Sequence, residues 1–157
     1  MYSVDKDLLS SDQLIELNQY EKNIKYRYFK RDSNLNKIYR CSNNGPDWFI
    51  NLIRKKYERD IEASYFLKYK KDAFTKAHRD AQHKTDLTLI TFVSLPDLLG
   101  GESIVFECIE GTENYEVPVI VPNLKAGDGL LYTSKVKHAV GKVHSGARIV
   151  HVCWFRK

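Results

Sequence analysis

The sequence predicts a mainly β protein carrying helices at its N-terminal end. Two amphipathic segments come first. Ser10-Ser11-Asp12-Gln13 is a capping-box pattern ahead of Leu14 and Leu17. Trp48, Phe49, Leu52, Ile53 and Tyr57 recur at helical spacing after the turn Asn43-Asn44-Gly45-Pro46. From Ala63 onward, short β-rich runs alternate with turn signals, the pattern of a sandwich or barrel.

In chain order, the first helix starts at Ser10. The basic, aromatic stretch after it reads as two strands, Lys25 to Phe29 and Lys37 to Cys41. The second helix runs to about Arg59. The later runs are Ser64–Lys70, Leu87–Leu95, Ser103–Cys108, Tyr115–Val121, Gly129–Thr133, Lys137–Val143 and Arg148–Phe155. Pro96-Asp97, Gly100-Gly101, Gly111, Pro122-Asn123, Gly127-Asp128-Gly129 and Ser145-Gly146 separate them. No repeat or linker divides the chain. We expect one domain over 1–157, with 1–62 as helical support and basic strands and 63–157 as the β core.

The 157 residues suffice for a hydrophobic core. With 43% hydrophobic and 29% charged residues, the composition is that of a globular protein and excludes a disordered chain. No run approaches the roughly 18 apolar residues of a membrane helix. Met1–Asp7 has no apolar signal core, so the expected location is cytoplasmic, without a membrane partner. Cys41, Cys108 and Cys153 are odd in number and widely spaced, which argues against disulfides or structural zinc. Cys153 reads as a small core residue. The net charge is +5, concentrated in part at Lys22, Lys25, Arg27, Lys30, Arg31, Lys37 and Arg40, with Tyr26, Tyr28 and Phe29 between them. That 22–40 segment is either a solvated face or a nucleic-acid surface.

His78-Arg79-Asp80 places an imidazole and a carboxylate at i and i+2, on one face of a strand. Such a pair is a weak signal alone. His138 follows sixty residues later, and Arg148 ten residues after that. Two histidines and one carboxylate suit non-haem Fe(II), because three coordination positions stay open. Alternation puts Arg148 on one face with Val150, Val152 and Trp154, and His151 on the other with Ile149, Cys153 and Phe155. A guanidinium among apolar neighbours needs an anion, and a carboxylate is its natural partner. His83, His144 and His151 are not expected to be ligands. Glu102 and Asp128 read as turn residues, and Trp154 as core.

Tyr69 to Asp80 resembles the strand that enters the metal site of the 2-oxoglutarate/Fe(II)-dependent dioxygenases, particularly the prolyl 4-hydroxylase-like group. Leu98–Phe106 is similar to that group's Gly-Gly-Glu-Thr turn, and Ala126–Phe155 to its distal-histidine and arginine segment. The resemblance covers about the last ninety residues. It implies a double-stranded β-helix, or jelly roll, with His78, Asp80 and His138 on Fe(II). Arg148 would bind the distal carboxylate of the cosubstrate 2-oxoglutarate, joined by Tyr69. O2 is the oxidant, and ascorbate is a candidate reductant. No protein general base is required beyond the metal site.

The chain departs from the group at three places. Thr75 stands where a second tyrosine often lies, Thr91-Phe92 replaces a Tyr-Leu-Asn pattern, and Lys142-Val143 replaces Pro-Val. The cosubstrate pocket must then be completed differently, with Thr91 the expected contributor. The first function expected is hydroxylation of a protein or peptide prolyl residue. A nucleic-acid oxygenase ranks lower, because dealkylases of that kind carry a second arginine six residues after the first, where this chain has Trp154. A small-molecule hydroxylase and a jelly-roll binding module without catalysis are the remaining alternatives.

Overall fold

The computed structural model describes residues 1–29, 35–80, 85–112 and 115–156. The elements are β1 (Tyr2–Asp5), α1 (Ser11–Lys22), β2 (Arg27–Tyr28), β3 (Leu35–Cys41), α2 (Asp47–Tyr57), β4 (Ile61–His78) and β5 (Thr85–Ser94). They continue with β6 (Leu99–Gly100), β7 (Ser103–Cys108), β8 (Glu116–Ile120), β9 (Gly129–Thr133), β10 (His138–Val140), β11 (Val143–Ser145) and β12 (Arg148–Arg156). Both expected helices are present. The Ser10 side chain accepts from the Gln13 amide while the Gln13 side chain accepts from the Ser10 amide, so the capping box is complete. Pro46 stands at the N-cap of α2.

The main sheet has the strand order β1-β9-β5-β12-β4-β10-β7-β8, with β3 also on β4 and β2 on β3. A small pair, β11-β6, closes one end. Among the described residues the strands pair antiparallel, and the sheet curls into a jelly roll. Strand β4 makes the curl. Its first half pairs with β12, from Ile61 to Tyr69, and its last residues pair with β10, from Thr75 to His78. Between the halves Asp72 takes a left-handed φ of 69°, and on β3 Lys37 takes 54° where the register shifts. Such bulges bend a strand and re-aim the side chains beyond the bend. Asp72 is paired there with Lys37 at 3.7 Å and Lys142 at 3.3 Å.

Three differences from the sequence reading stand out. β4 is one strand of 18 residues rather than a run ending at Lys70. Residues 2–5 are a strand on β9, so the N-terminal segment is part of the sheet and not only helical support. The expected strand Lys137–Val143 splits into β10 and β11. Asp128 does more than turn: it is fully buried and accepts from the Asp7 and Lys125 amides and from Lys6, which ties β1 to β9.

The sheet separates two cores. One, under the helices, contains Leu17, Phe49, Ile53, Phe66, Leu89, Val93, Cys153 and Phe155. The other lines the inside of the curl and includes Tyr65, Leu67, Tyr69, Ile90, Phe92, Val150 and Val152. The cysteines are free, and Cys153 is fully buried, with burial pushing its thiol up to about 12. Among the described residues, no helix is long and apolar enough to cross a membrane.

Candidate metal centre and cosubstrate cavity

The inside of the curl encloses a cavity of about 480 Å³, bounded by β4, β5, β10 and β12. His78 and His138 face each other across β4 and β10 as direct register partners, with ring centroids 4.3 Å apart. Asp80 lies just beyond the end of β4, so its position is not set by strand alternation as the sequence suggested. Thr88 on β5 sets it instead, donating its hydroxyl to Asp80 Oδ2 at 2.9 Å. The other oxygen, Oδ1, lies 3.5 Å from His78 Nε2 and 3.7 Å from His138 Nε2. One donor atom from each residue falls within 4.8 Å of the other two.

The tautomers follow from the backbone. His78 Nδ1 lies 2.8 Å from the Lys76 carbonyl, and His138 Nδ1 lies 3.0 Å from the Val136 carbonyl. A carbonyl only accepts, so each Nδ1 carries the proton and each Nε2 presents its lone pair to the common point. Burial holds the His138 imidazole below its ordinary pKa, partly offset by Asp80. Burial raises Asp80, but hydrogen bonding from His78 and positive charge on His138, both of which require Nε2 protons that a bound cation would replace, act with the Thr88 hydroxyl to leave it below the usual carboxylate range. The donor set therefore fits a divalent cation with a preference for nitrogen and oxygen ligands.

Arg148 opens β12 and is only 3% exposed. One terminal nitrogen donates to Ser103 Oγ at 3.1 Å, and Nε has no hydrogen-bond partner. The rings of Tyr69 and Phe92 flank the guanidinium, with centroids 4.9 and 5.3 Å from Cζ. Among the described residues no carboxylate is paired with it. Burial lowers its pKa from the ordinary value, and a buried cation without a counter-ion is a costly arrangement. Tyr69 pairs with Arg148 in register, and its hydroxyl shares a 2.9 Å hydrogen bond with Thr75 Oγ1. Thr75 thus occupies the place where the sequence lacks a second tyrosine.

Of the residues expected from sequence, His78, Asp80, His138, Arg148 and Tyr69 meet in this cavity. Thr91 does not, and this corrects the expectation. It is fully buried on the other face of β5, between Leu89 and Val93 of the helix-side core, while Ile90 faces the cavity. Trp154 lines the cavity, its ring edge-on to Tyr65 at 5.7 Å. His151 faces the helices as alternation required, and His83 lies outside the described residues. So do Lys30 and Arg31 of the basic segment, and Arg40 turns into the cavity rather than outward. The sequence reading missed Thr88, Ser103 and Tyr132, whose ring lies 4.5 Å from that of His138. A threonine and a serine at inward positions of apolar strands were the available signal.

An antiparallel jelly roll with two histidines and one carboxylate at a shared point, and a buried arginine in the same cavity, defines a class of metal-site proteins. Comparisons with known proteins bear on the fold. No protein-family model matches the chain. A segment of 77 residues is 34% identical to a PKHD-type hydroxylase of Hyphomonas neptunium, covering 49% of this chain and 31% of that protein. Along 99% of its length the chain is similar to an oxidoreductase of the 2OG-Fe(II) oxygenase family from Burkholderia pseudomallei, with a TM-score of 0.72, 13% identity and 84% of that chain covered. It is similar over the same share to a prolyl hydroxylase from Trichoplax adhaerens in complex with a hypoxia inducible factor peptide fragment, with a TM-score of 0.73, 11% identity and 83% covered. The fold is that of the 2-oxoglutarate/Fe(II) oxygenases, as the sequence resemblance implied.

Proposed function

We propose that this chain is an Fe(II)- and 2-oxoglutarate-dependent dioxygenase that hydroxylates a C–H bond, with a prolyl residue of a protein or peptide as its substrate class and succinate and carbon dioxide as coproducts. His78, Asp80 and His138 would hold the iron. Arg148 would take the distal carboxylate of 2-oxoglutarate, supported by Tyr69 and Ser103. One observation carries this reading: a buried guanidinium without a carboxylate partner shares a cavity with a three-residue metal group. A binding module has no use for both. The likeness to a PKHD-type hydroxylase and to a peptide-bound prolyl hydroxylase supports the substrate class.

Bound Fe(II) supplies the activation of O2 that couples oxidative decarboxylation of 2-oxoglutarate to hydroxylation. The chain's own residues do the positioning. Each histidine is held by a backbone carbonyl with Nε2 turned inward. Thr88 holds Asp80 Oδ2 and leaves Oδ1 toward both rings. Arg148 fixes the far end of the cosubstrate, and the surrounding apolar side chains exclude water.

The test is incubation of the chain with Fe(II), 2-oxoglutarate and a proteome-derived peptide mixture. Succinate should form, and a peptide should gain the mass of one oxygen at proline. Absence of succinate with every peptide, nucleic-acid and small-molecule pool would end the oxygenase reading.

A further inference from the structure

Besides the metal group and Arg148, two charged residues line the cavity, Arg79 and Arg40; Arg79 is paired with Glu116 and donates to the Lys135 carbonyl, which leaves Arg40. Arg40, on β3, reaches into the cavity beside Tyr65 and Phe29. Its Cζ lies 4.0 Å from the Tyr65 ring centroid and 5.2 Å from that of Phe29. Its Nε is buried without a hydrogen-bond partner. Among the described residues, no carboxylate is paired with it. In register Arg40 pairs with Leu67, whereas Arg148 pairs with Tyr69, so the two arginines enter the cavity at different levels of β4.

Aromatic faces attract the guanidinium charge but leave its in-plane N–H donors free. Those donors form a planar fork that matches a carboxylate. In the oxygenase reading the distal carboxylate of the cosubstrate is already assigned to Arg148. A second fork at another level is therefore available to the other molecule that enters the cavity.

We propose that Arg40, held by Tyr65 and Phe29, is a carboxylate subsite for the substrate, receiving either an acidic side chain or the free C-terminal carboxylate of the peptide that is hydroxylated. This rests on the oxygenase reading for its ligand. It also gives the net charge of +5 a local consequence, since an acidic partner would be drawn to the chain.

The test measures peptide binding to the whole chain, loaded with Fe(II) and 2-oxoglutarate in the absence of oxygen. Three matched proline-containing pools serve as probes: one with Asp and Glu and an amidated C-terminus, one with Asn and Gln and an amidated C-terminus, and one with Asn and Gln and a free C-terminal carboxylate. One carboxylate pool should bind about tenfold or more tightly than the neutral pool, the size of one charge-assisted contact, and which pool does so identifies the source. Arg40→Gln should erase that preference, Arg40→Lys should retain part of it, and both should bind 2-oxoglutarate as the wild type does. If Arg40→Gln does not fold, Arg40→Lys carries the comparison, because it keeps the charge and loses the fork. Equal binding of the three pools, or a preference that survives both substitutions, overturns the proposal. So does displacement of the acidic pool by oligothymidylate with the same Arg40 dependence, which would assign the subsite to nucleic acid. Failure of the chain to bind Fe(II) or 2-oxoglutarate would defeat the oxygenase reading instead, and the pools would still be compared on the unloaded chain.

Discussion

Successive residues of β12 face two interiors that are chemically opposed. Toward the helices stand Ile149, His151, Cys153 and Phe155, and toward the cavity Arg148, Val150, Val152 and Trp154. Beside the buried Cys153 thiol, the helix face holds a basic group, His151, and the cavity face holds another, Arg148, three residues away in sequence. His151 is sealed: its ring neighbours are Phe49 and Phe66, each at 4.9 Å, its Nε2 donates to the Asn44 carbonyl at 2.9 Å, and burial pushes its pKa down to about 4. It stays neutral and serves packing. Arg148 keeps its charge with donors left over. A protein can bury a histidine by discharging it, but a guanidinium stays protonated. The face that keeps a charge is the one the proposed cosubstrate would use. Substitutions on the two faces should therefore separate stability from binding.

The largest separation is expected at the metal group. His78→Ala should lower Fe(II) affinity by more than about a hundredfold, since even neighbours that only orient a ligand contribute about ten- to a hundredfold. Its unfolding midpoint without metal should stay close to wild type. Metal content after dialysis and urea unfolding measure the two quantities. Retained iron would mean that the ligands are misassigned. The opposite outcome is expected from Phe155→Ala on the helix face, where Phe155 is fully buried. It should cost about 3–5 kcal/mol in unfolding free energy, while the folded fraction keeps its iron affinity.

Acid sharpens the contrast on the helix face. The His151 pKa falls from 6.5 unfolded to about 4 folded, so the unfolded chain binds the extra proton between those values. Stability from this group is fully present above about pH 6.5 and is lost as pH falls toward 4, by about 3 kcal/mol in all. His151→Gln, which keeps a donor for Asn44, should flatten that acid limb in unfolding midpoints taken at pH 7 and pH 4.5. An unchanged limb would place the acid sensitivity elsewhere.

Arg148→Met should do the reverse of a core substitution. The 2-oxoglutarate concentration needed for half-maximal succinate formation should rise by about ten- to a hundredfold, the cost of one charge-assisted pair. The unfolding free energy should hold or rise, because an unpaired buried cation is replaced by an apolar chain of similar length. An unchanged requirement would move the anion site away from Arg148.

The helix-side face was legible in sequence because its signals are local: the capping box at Ser10, the spacing of Trp48 to Tyr57, the parity of β12. The metal group was legible because few residue types can ligate, and Arg148 because a charge stands out in an apolar strand. Thr91 was misplaced for a physical reason. Strand β5 is buried on both faces, so its apolar run carries no alternation to tell them apart. The full reach of β4 was hidden because Lys70-Lys71-Asp72 looks like a strand end, whereas Asp72 makes a bulge held by lysines from β3 and the segment after β10. Strand β1 was hidden because its pairing with β9 depends on distant Asp128.

Thr88 is the residue that sequence reasoning had least means to find, and it sets the smallest effect. It is fully buried, pairs in register with both Tyr132 and Trp154, and donates its hydroxyl to Asp80 Oδ2. Thr88→Val keeps the shape and removes the donor. Asp80 then loses the contact that turns Oδ1 toward the two Nε2 atoms, so Fe(II) affinity should fall by about tenfold, the lower end of the range for groups that orient a ligand. Thr88→Ser restores the hydroxyl and should recover most of the loss, although it leaves a small cavity. A merely structural role would give the opposite order, with serine worse than valine, because valine fills the site. Iron competition titrations on the three proteins decide between the two.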